Sequence, residues 1–312
     1  MGLRAGTVTL IALALHLSQG AMHPARGETA AAVPAAAAPA TPSAPMCDKH
    51  KFRVVVDVGH TERVPGAKSA RGFDEYDFNL RLARVIHKKL IEAGFERTVL
   101  LITAEAPRAG LFKRADRANA MAADLFLAVH HDSVPDHFMQ KWQFEGQELG
   151  YSDRFPGHSL FISAANPQYG RSLQFGKLLG EQLKAHGLKY TPHYTEKFMG
   201  NRRRELVDAG AGVYRYDQLV VLMKTHMPAV LLEAGSIINR DEEVALETPQ
   251  RRSLIADSVA GAVESFCGAP AHRNPEPPAH SAHAPSAHAP KVSGHAARPV
   301  TTGPSESGAA RQ

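Results

Sequence analysis

Residues 51–75 constrain the fold more than any other part of the chain. They open with Phe52-Arg53-Val54-Val55-Val56 and break at Asp57-Val58-Gly59-His60. They then run through Pro65-Gly66-Ala67 and Gly72 and end at Asp74-Glu75, where an amphipathic pattern starts. Three β-branched residues in succession favour a strand. Gly59 is expected to let the backbone turn tightly as that strand ends. Strand, histidine, loop, carboxylate and helix in this order can set a histidine and a glutamate side by side at the edge of a parallel sheet.

Similar alternation continues downstream. Asp74 is the expected cap of the first helix. Phe78, Leu82, Ile86 and Leu90, with Val85 beside them, give that helix one apolar face, and Gly94 ends it. Residues 97–103 read as a second strand, and the unbroken Val99-Leu100-Leu101-Ile102 predicts cover on both faces. A helix is expected over 111–123, strands over 124–131 and 159–163, a helix over 170–186, a strand over 229–233 and a closing helix from Pro249 to Phe266. Residues 140–157 read as a long surface insertion and 196–212 as irregular. The order argues for an α/β three-layer sandwich, with a mostly parallel central sheet flanked by helices on both faces.

The two ends differ in kind from this unit. Residues 1–21 carry Arg4, an apolar run and small residues near Gly20 and Ala21, the pattern of an export signal, with a retained anchor as the alternative. Residues 22–46 and 268–312 are rich in alanine and proline and read as a linker and a tail unable to bury a core. The tail holds His272, His280, His283, His288 and His295, which leaves a metal-gathering role open beside that of a spacer. The folded unit is expected over 47–267, and the only cysteines, Cys47 and Cys267, sit at its two edges. In an exported chain they predict a disulfide, worth about 4–5 kcal/mol for so long a loop, with two separate thiols as the alternative. A formal charge of +5, spread among acidic residues, gives no nucleic-acid footprint.

Three expected strand ends carry polar residues: His60 after the first, His130 and His131 at the third, and Glu233 at the last. Parallel α/β sheets gather their sites at the carboxyl ends of strands, and Glu75 can join from the start of the first helix. Two histidines and a carboxylate form a common catalytic zinc set, and a second carboxylate nearby can serve as general base. Adjacent strand residues face opposite ways, so only one of His130 and His131 can face a metal from an extended segment.

The segments Asp57-Val58-Gly59-His60, Pro65-Gly66-Ala67 and Gly72-Phe73-Asp74-Glu75 resemble the opening of the zinc-dependent N-acetylmuramoyl-L-alanine amidases of the amidase-3 family. The resemblance extends to Arg114, to Ala118-Asn119 and Ala123-Asp124-Leu125-Phe126, to Ala128-Val129-His130, and to Pro228-Ala229-Val230-Leu231-Leu232-Glu233-Ala234-Gly235 with Asn239. It implies one Zn²⁺ per chain held by His60, Glu75 and His130, with Glu233 as catalytic base. It chooses His130 over His131, and leaves His131 as a supporting group, a substrate group or a filler. It implies a periplasmic or secreted enzyme that cleaves the amide between N-acetylmuramic acid and L-alanine of peptidoglycan, acting as a monomer and open to a protein activator. A zinc peptidase on stem peptides and a non-catalytic wall-binding protein are the competing readings. Val58, Thr61-Glu62 and Ala104 depart from the family pattern without removing a proposed ligand. Asp57 and Asp132 are candidates to orient the histidines through their far nitrogens. Arg202, Arg203 and Arg204 could meet stem-peptide carboxylates, or form a solvated loop.

Overall fold

The computed structural model describes residues 47–104 and 107–269. The expected export signal, the linker and the tail from residue 270 onward lie outside the described residues. In chain order the strands and helices are β1 (Val54–Val58), α1 (Glu75–Glu92), β2 (Val99–Leu101), α2 (Pro107–Ala120), β3 (Leu125–Asp132), β4 (Gln140–Phe144), β5 (Gln147–Tyr151), β6 (Ser159–Ile162), α3 (Tyr169–Ala185), β7 (Glu205–Asp208), β8 (Val213–Arg215), α4 (Val220–Lys224), β9 (Ala229–Ser236), α5 (Arg240–Glu247) and α6 (Pro249–Gly268).

Seven strands form one sheet in the order β2-β1-β3-β9-β6-β8-β7. The pairings β1–β2, β1–β3, β3–β9 and β6–β8 are parallel, while β6–β9 and β7–β8 are antiparallel. Helices cover both faces, as the continuous apolar strands require. Val54, Val56, Val58, Leu127, Val129 and Leu232 pack with α1, α3 and α6 on one face. Val55, Phe126, Ala128 and Leu231 pack with residues of α2 and α4 on the other.

Helix α1 buries Phe78, Leu82, Ile86 and Leu90, each worth about 1.5–3 kcal/mol. That burial outweighs a helix cap, typically worth about 1 kcal/mol, which Asp74 does not supply. Asp74 occupies the cap position, but its side chain makes no capping bond and pairs with Lys68 at 2.6 Å instead. Gly94 follows the helix in the left-handed region, at φ 93°. The disulfide between Cys47 and Cys267 joins the start of the folded unit to its last helix.

Strand β2 is a sheet edge, yet Leu100 packs on one core face and Val99 and Leu101 on the other, while Ile102, just past the strand, is 43% exposed. Three parts of the chain differ from expectation. Residues 140–157 contain a β4–β5 hairpin rather than a plain loop, turning at Glu145 and Gly146, both with positive φ. Two such residues match the twist of a hairpin turn, but the signal is weaker in Glu-Gly than in Asn-Gly. Residues 196–212 hold strand β7, too short to show a period. Finally, α5 was not anticipated; Asn239 caps it by accepting from the backbone amides of Asp241 and Glu242.

Candidate metal centre

His60 lies just past β1 with φ 64°, in the left-handed region that costs a side-chain-bearing residue about 1–2 kcal/mol. The turn therefore falls on the histidine and not on Gly59. Gly59 serves another need: a Cβ there would stand 2.5 Å from the His130 ring. Arg114 of α2 holds the strained turn from below. Its buried guanidinium donates to Val58 O at 2.6 Å, to Asp57 Oδ2 at 3.2 Å and to the His60 carbonyl. Gly66, at φ 84°, leaves the space that Glu75 and His60 occupy.

The structure brings His60, Glu75 and His130 together, with one ligand atom from each lying within 4.8 Å of the others. The Glu75 carboxylate sits between the rings, Oε2 being 3.0 Å from His60 Nε2 and Oε1 3.1 Å from His130 Nδ1. Burial pushes the Glu75 carboxyl up, but hydrogen bonds to His130 and His60 and their charge carry it well below its ordinary range. Burial lowers His130, against the pull of Glu75. An ionised carboxylate and an imidazole biased toward neutrality are the forms that ligate a metal. The donor set, with Gly59 making room for the His130 ring and Gly66 for Glu75 and His60, fits a zinc ion.

His131 turns to the opposite face of β3. It is buried, lies 5.6 Å from the Phe78 ring and bonds Asn79 through Nδ1 at 2.7 Å. Asn79 was not singled out from the sequence, although its place four residues after Glu75 puts it on the same helix face.

Glu233 of β9 stands in register with His130 on one side and with Ser159 of β6 on the other. Paired residues share a sheet face, so the three side chains form a row. Glu233 Oε2 is buried without a protein hydrogen-bond partner among the described residues, and so is Ser159 Oγ. Burial, then the charges of Asp132 and Glu75, raise the Glu233 carboxyl well above its ordinary range.

Asp132 accepts from Tyr194 Oη at 2.8 and 2.9 Å, and its Oδ2 is 3.9 Å from His193 Nε2. Burial drives Asp132 up to about 7 against the Tyr194 hydrogen bond. Asp57 thus pairs with Arg114 and feels the charge of His60, while Asp132 meets Tyr194 and His193. Tyr194 and His193 escaped the sequence reading because residues 193–195 form only a single 3₁₀ turn.

Arg202 and Arg203 are exposed, and Arg204 stacks on Tyr216 at 3.7 Å. Tyr214 is fully buried in β8. The hairpin is fastened to the 60–75 loop by Trp142 Nε1, which donates to Ala70 O at 2.9 Å. Glu62 is exposed while Thr61 is buried and bridges to Val64.

The class of protein that this fold and site define is an α/β domain whose parallel strands and first helix gather His60, His130, Glu233 and Glu75 at one place. The family model described as N-acetylmuramoyl-L-alanine amidase matches residues 54–265, and the chain belongs to that amidase-3 family. It is 26% identical over 214 residues to an endolysin of Bacillus phage SPP1, covering 68% of this chain and 64% of the endolysin. The chain therefore spans less than two thirds of that relative. It is 22% identical over 229 residues to a protein of Buchnera aphidicola described as a putative N-acetylmuramoyl-L-alanine amidase, covering 68% of this chain and 95% of that one. In fold it is similar to the N-acetylmuramyl-L-alanine amidase of Mycobacterium smegmatis, with TM-score 0.54 and 18% identity over 70% of this chain and 98% of that one.

Proposed function

We propose that the chain is a zinc-dependent peptidoglycan amidase, hydrolysing the amide between the lactyl group of N-acetylmuramic acid and L-alanine. The observation that carries the reading is the pairing of a compact His60, Glu75 and His130 cluster with the unpartnered buried Oε2 of Glu233, in register with His130. His60, Glu75 and His130 would hold one Zn²⁺, which when bound supplies Lewis-acid activation of a water and of the amide carbonyl. Glu233 takes the proton of the attacking water at Oε2 and returns it to the leaving amine nitrogen. A carboxyl whose pKa is raised by burial suits both halves of that transfer. The disulfide favours an oxidising compartment, in accord with export to the periplasm or beyond.

Digestion of purified peptidoglycan tests the reaction. New L-alanine amino termini, lost on chelation and restored by Zn²⁺, are expected. Other new amino termini would assign the chain to stem-peptide cleavage, and none with zinc bound would make it a binding protein.

A further inference from the structure

Asn79 is completely buried, and both ends of its side-chain amide are engaged. Its Nδ2 donates to Glu75 Oε1 at 3.1 Å and to Gly59 O at 3.2 Å, while its Oδ1 lies 2.7 Å from His131 Nδ1. A backbone carbonyl and an ionised carboxylate can only accept. Both Nδ2 protons are therefore used on them, and the amide cannot be flipped without setting oxygen against oxygen. Oδ1 must then accept, so the proton of His131 sits on Nδ1.

We propose that Asn79, locked in this orientation by His131, is the positioning residue that holds Glu75 and the backbone at His60 in ligand geometry. This rests on the metal reading of His60, Glu75 and His130. Those ligands come from separate elements, and His60 and Glu75 are the two ends of one loop. Asn79 ties them together from behind, joining the carbonyl that precedes His60 to the carboxylate of Glu75. The backbone amide of His131 also points at Glu75 Oε1, at 3.4 Å. Hydrogen bonds behind ligands set their orientation, and losing them typically weakens metal affinity about 10–100-fold. The second of the two consecutive histidines is thereby explained: strand alternation turns it from the metal side to the α1 side, where it fixes Asn79.

Zinc affinity of the full chain, measured by competition with a chromogenic chelator, tests this. Asn79→Ala is expected to bind about 10–100-fold more weakly. His131→Leu, which packs but cannot donate, should weaken zinc in the same direction. His131→Asn, whose amide N–H overlays Nδ1, should bind as the wild type does. Wild-type affinity in both Asn79→Ala and His131→Leu overturns the proposal, provided that His60→Ala loses zinc. Retention of zinc by His60→Ala would instead overturn the metal reading itself. Should the Asn79 and His131 variants fail to fold, ¹⁵N resonances of the wild-type imidazoles decide: an Nδ1–H tautomer at His131 supports the lock, and an Nε2–H tautomer overturns it.

Discussion

The two halves of the site are built on opposite plans. On the ligand side, His60, Glu75, His130, Asn79 and His131 are joined by short hydrogen bonds, and Arg114 braces the turn below. On the base side, Glu233 Oε2, Ser159 Oγ, both ring nitrogens of His158 and His193 Nε2, which is 3.9 Å from Asp132 Oδ2, are buried without a hydrogen-bond partner among the described residues. A group that must present fixed lone pairs to an ion benefits from being held. A group that must take and release a proton benefits from an open valence and a shifted pKa. The contrast is what a division of labour between binding and proton transfer would produce.

That contrast breaks most sharply under substitution. His60→Ala is expected to take bound zinc from about one per chain to near zero, with activity lost alongside. Glu233→Gln should keep the zinc and lose activity by about 10²–10⁴-fold. Metal analysis of the two purified variants checks both, and unaltered zinc in His60→Ala, or near-normal turnover in Glu233→Gln, would erase the distinction.

The ligand side was far more legible in the sequence, and the reason is physical. His60 and Glu75 bracket one loop, and His130 ends a strand whose apolar run announces it. The same logic picks out Glu233, although β9 runs on past it to Ser236, and the parallel sheet and its covering helices follow from apolar runs and a clear 3.6-residue period in α1. The support around these residues was hidden. Asn79 reads as one more polar residue of an amphipathic helix until Gly59 O is known to lie beside it. Tyr194 and His193 reach Asp132 from 61 or more residues away through a 3₁₀ turn that leaves no periodic trace. Gly59 was expected to supply the turn, yet what its missing side chain provides is room for a ring 71 residues downstream.

The unpartnered base side should also govern acid sensitivity. Burial lowers His158 and His193 to about 4 from an ordinary value near 6.5. Below pH 6.5 the unfolded chain binds protons that the folded one refuses, so stability is full above that point and falls as pH drops toward 4. Each histidine can account for up to about 3 kcal/mol of the loss. Urea midpoints between pH 7 and 4 should decline in the wild type and decline distinctly less in His158→Gln. Parallel curves would mean that His158 stays accessible to protons in the folded state.

The smallest effect is expected from Tyr194→Phe, which removes the hydroxyl that Asp132 accepts from on the base side. The lost hydroxyl donates to both oxygens of Asp132, which would keep only the backbone amide of Ser133. Leaving a buried acceptor short of its donor costs about 1–3 kcal/mol. The cost carries a pH signature. Burial already raises Asp132 to about 7, so its folded form is the better proton binder between its unfolded value of 3.8 and that point, and stability falls as pH rises through this window. Removing the Tyr194 donor raises the folded value further and extends the window upward. In the metal-free protein the deficit of Tyr194→Phe should therefore be larger at pH 8 than at pH 5, where Asp132 is protonated in either protein. A deficit independent of pH would remove Tyr194 from the electrostatics of the base side, since the ring that packs 5.1 Å from Phe161 is kept in the variant.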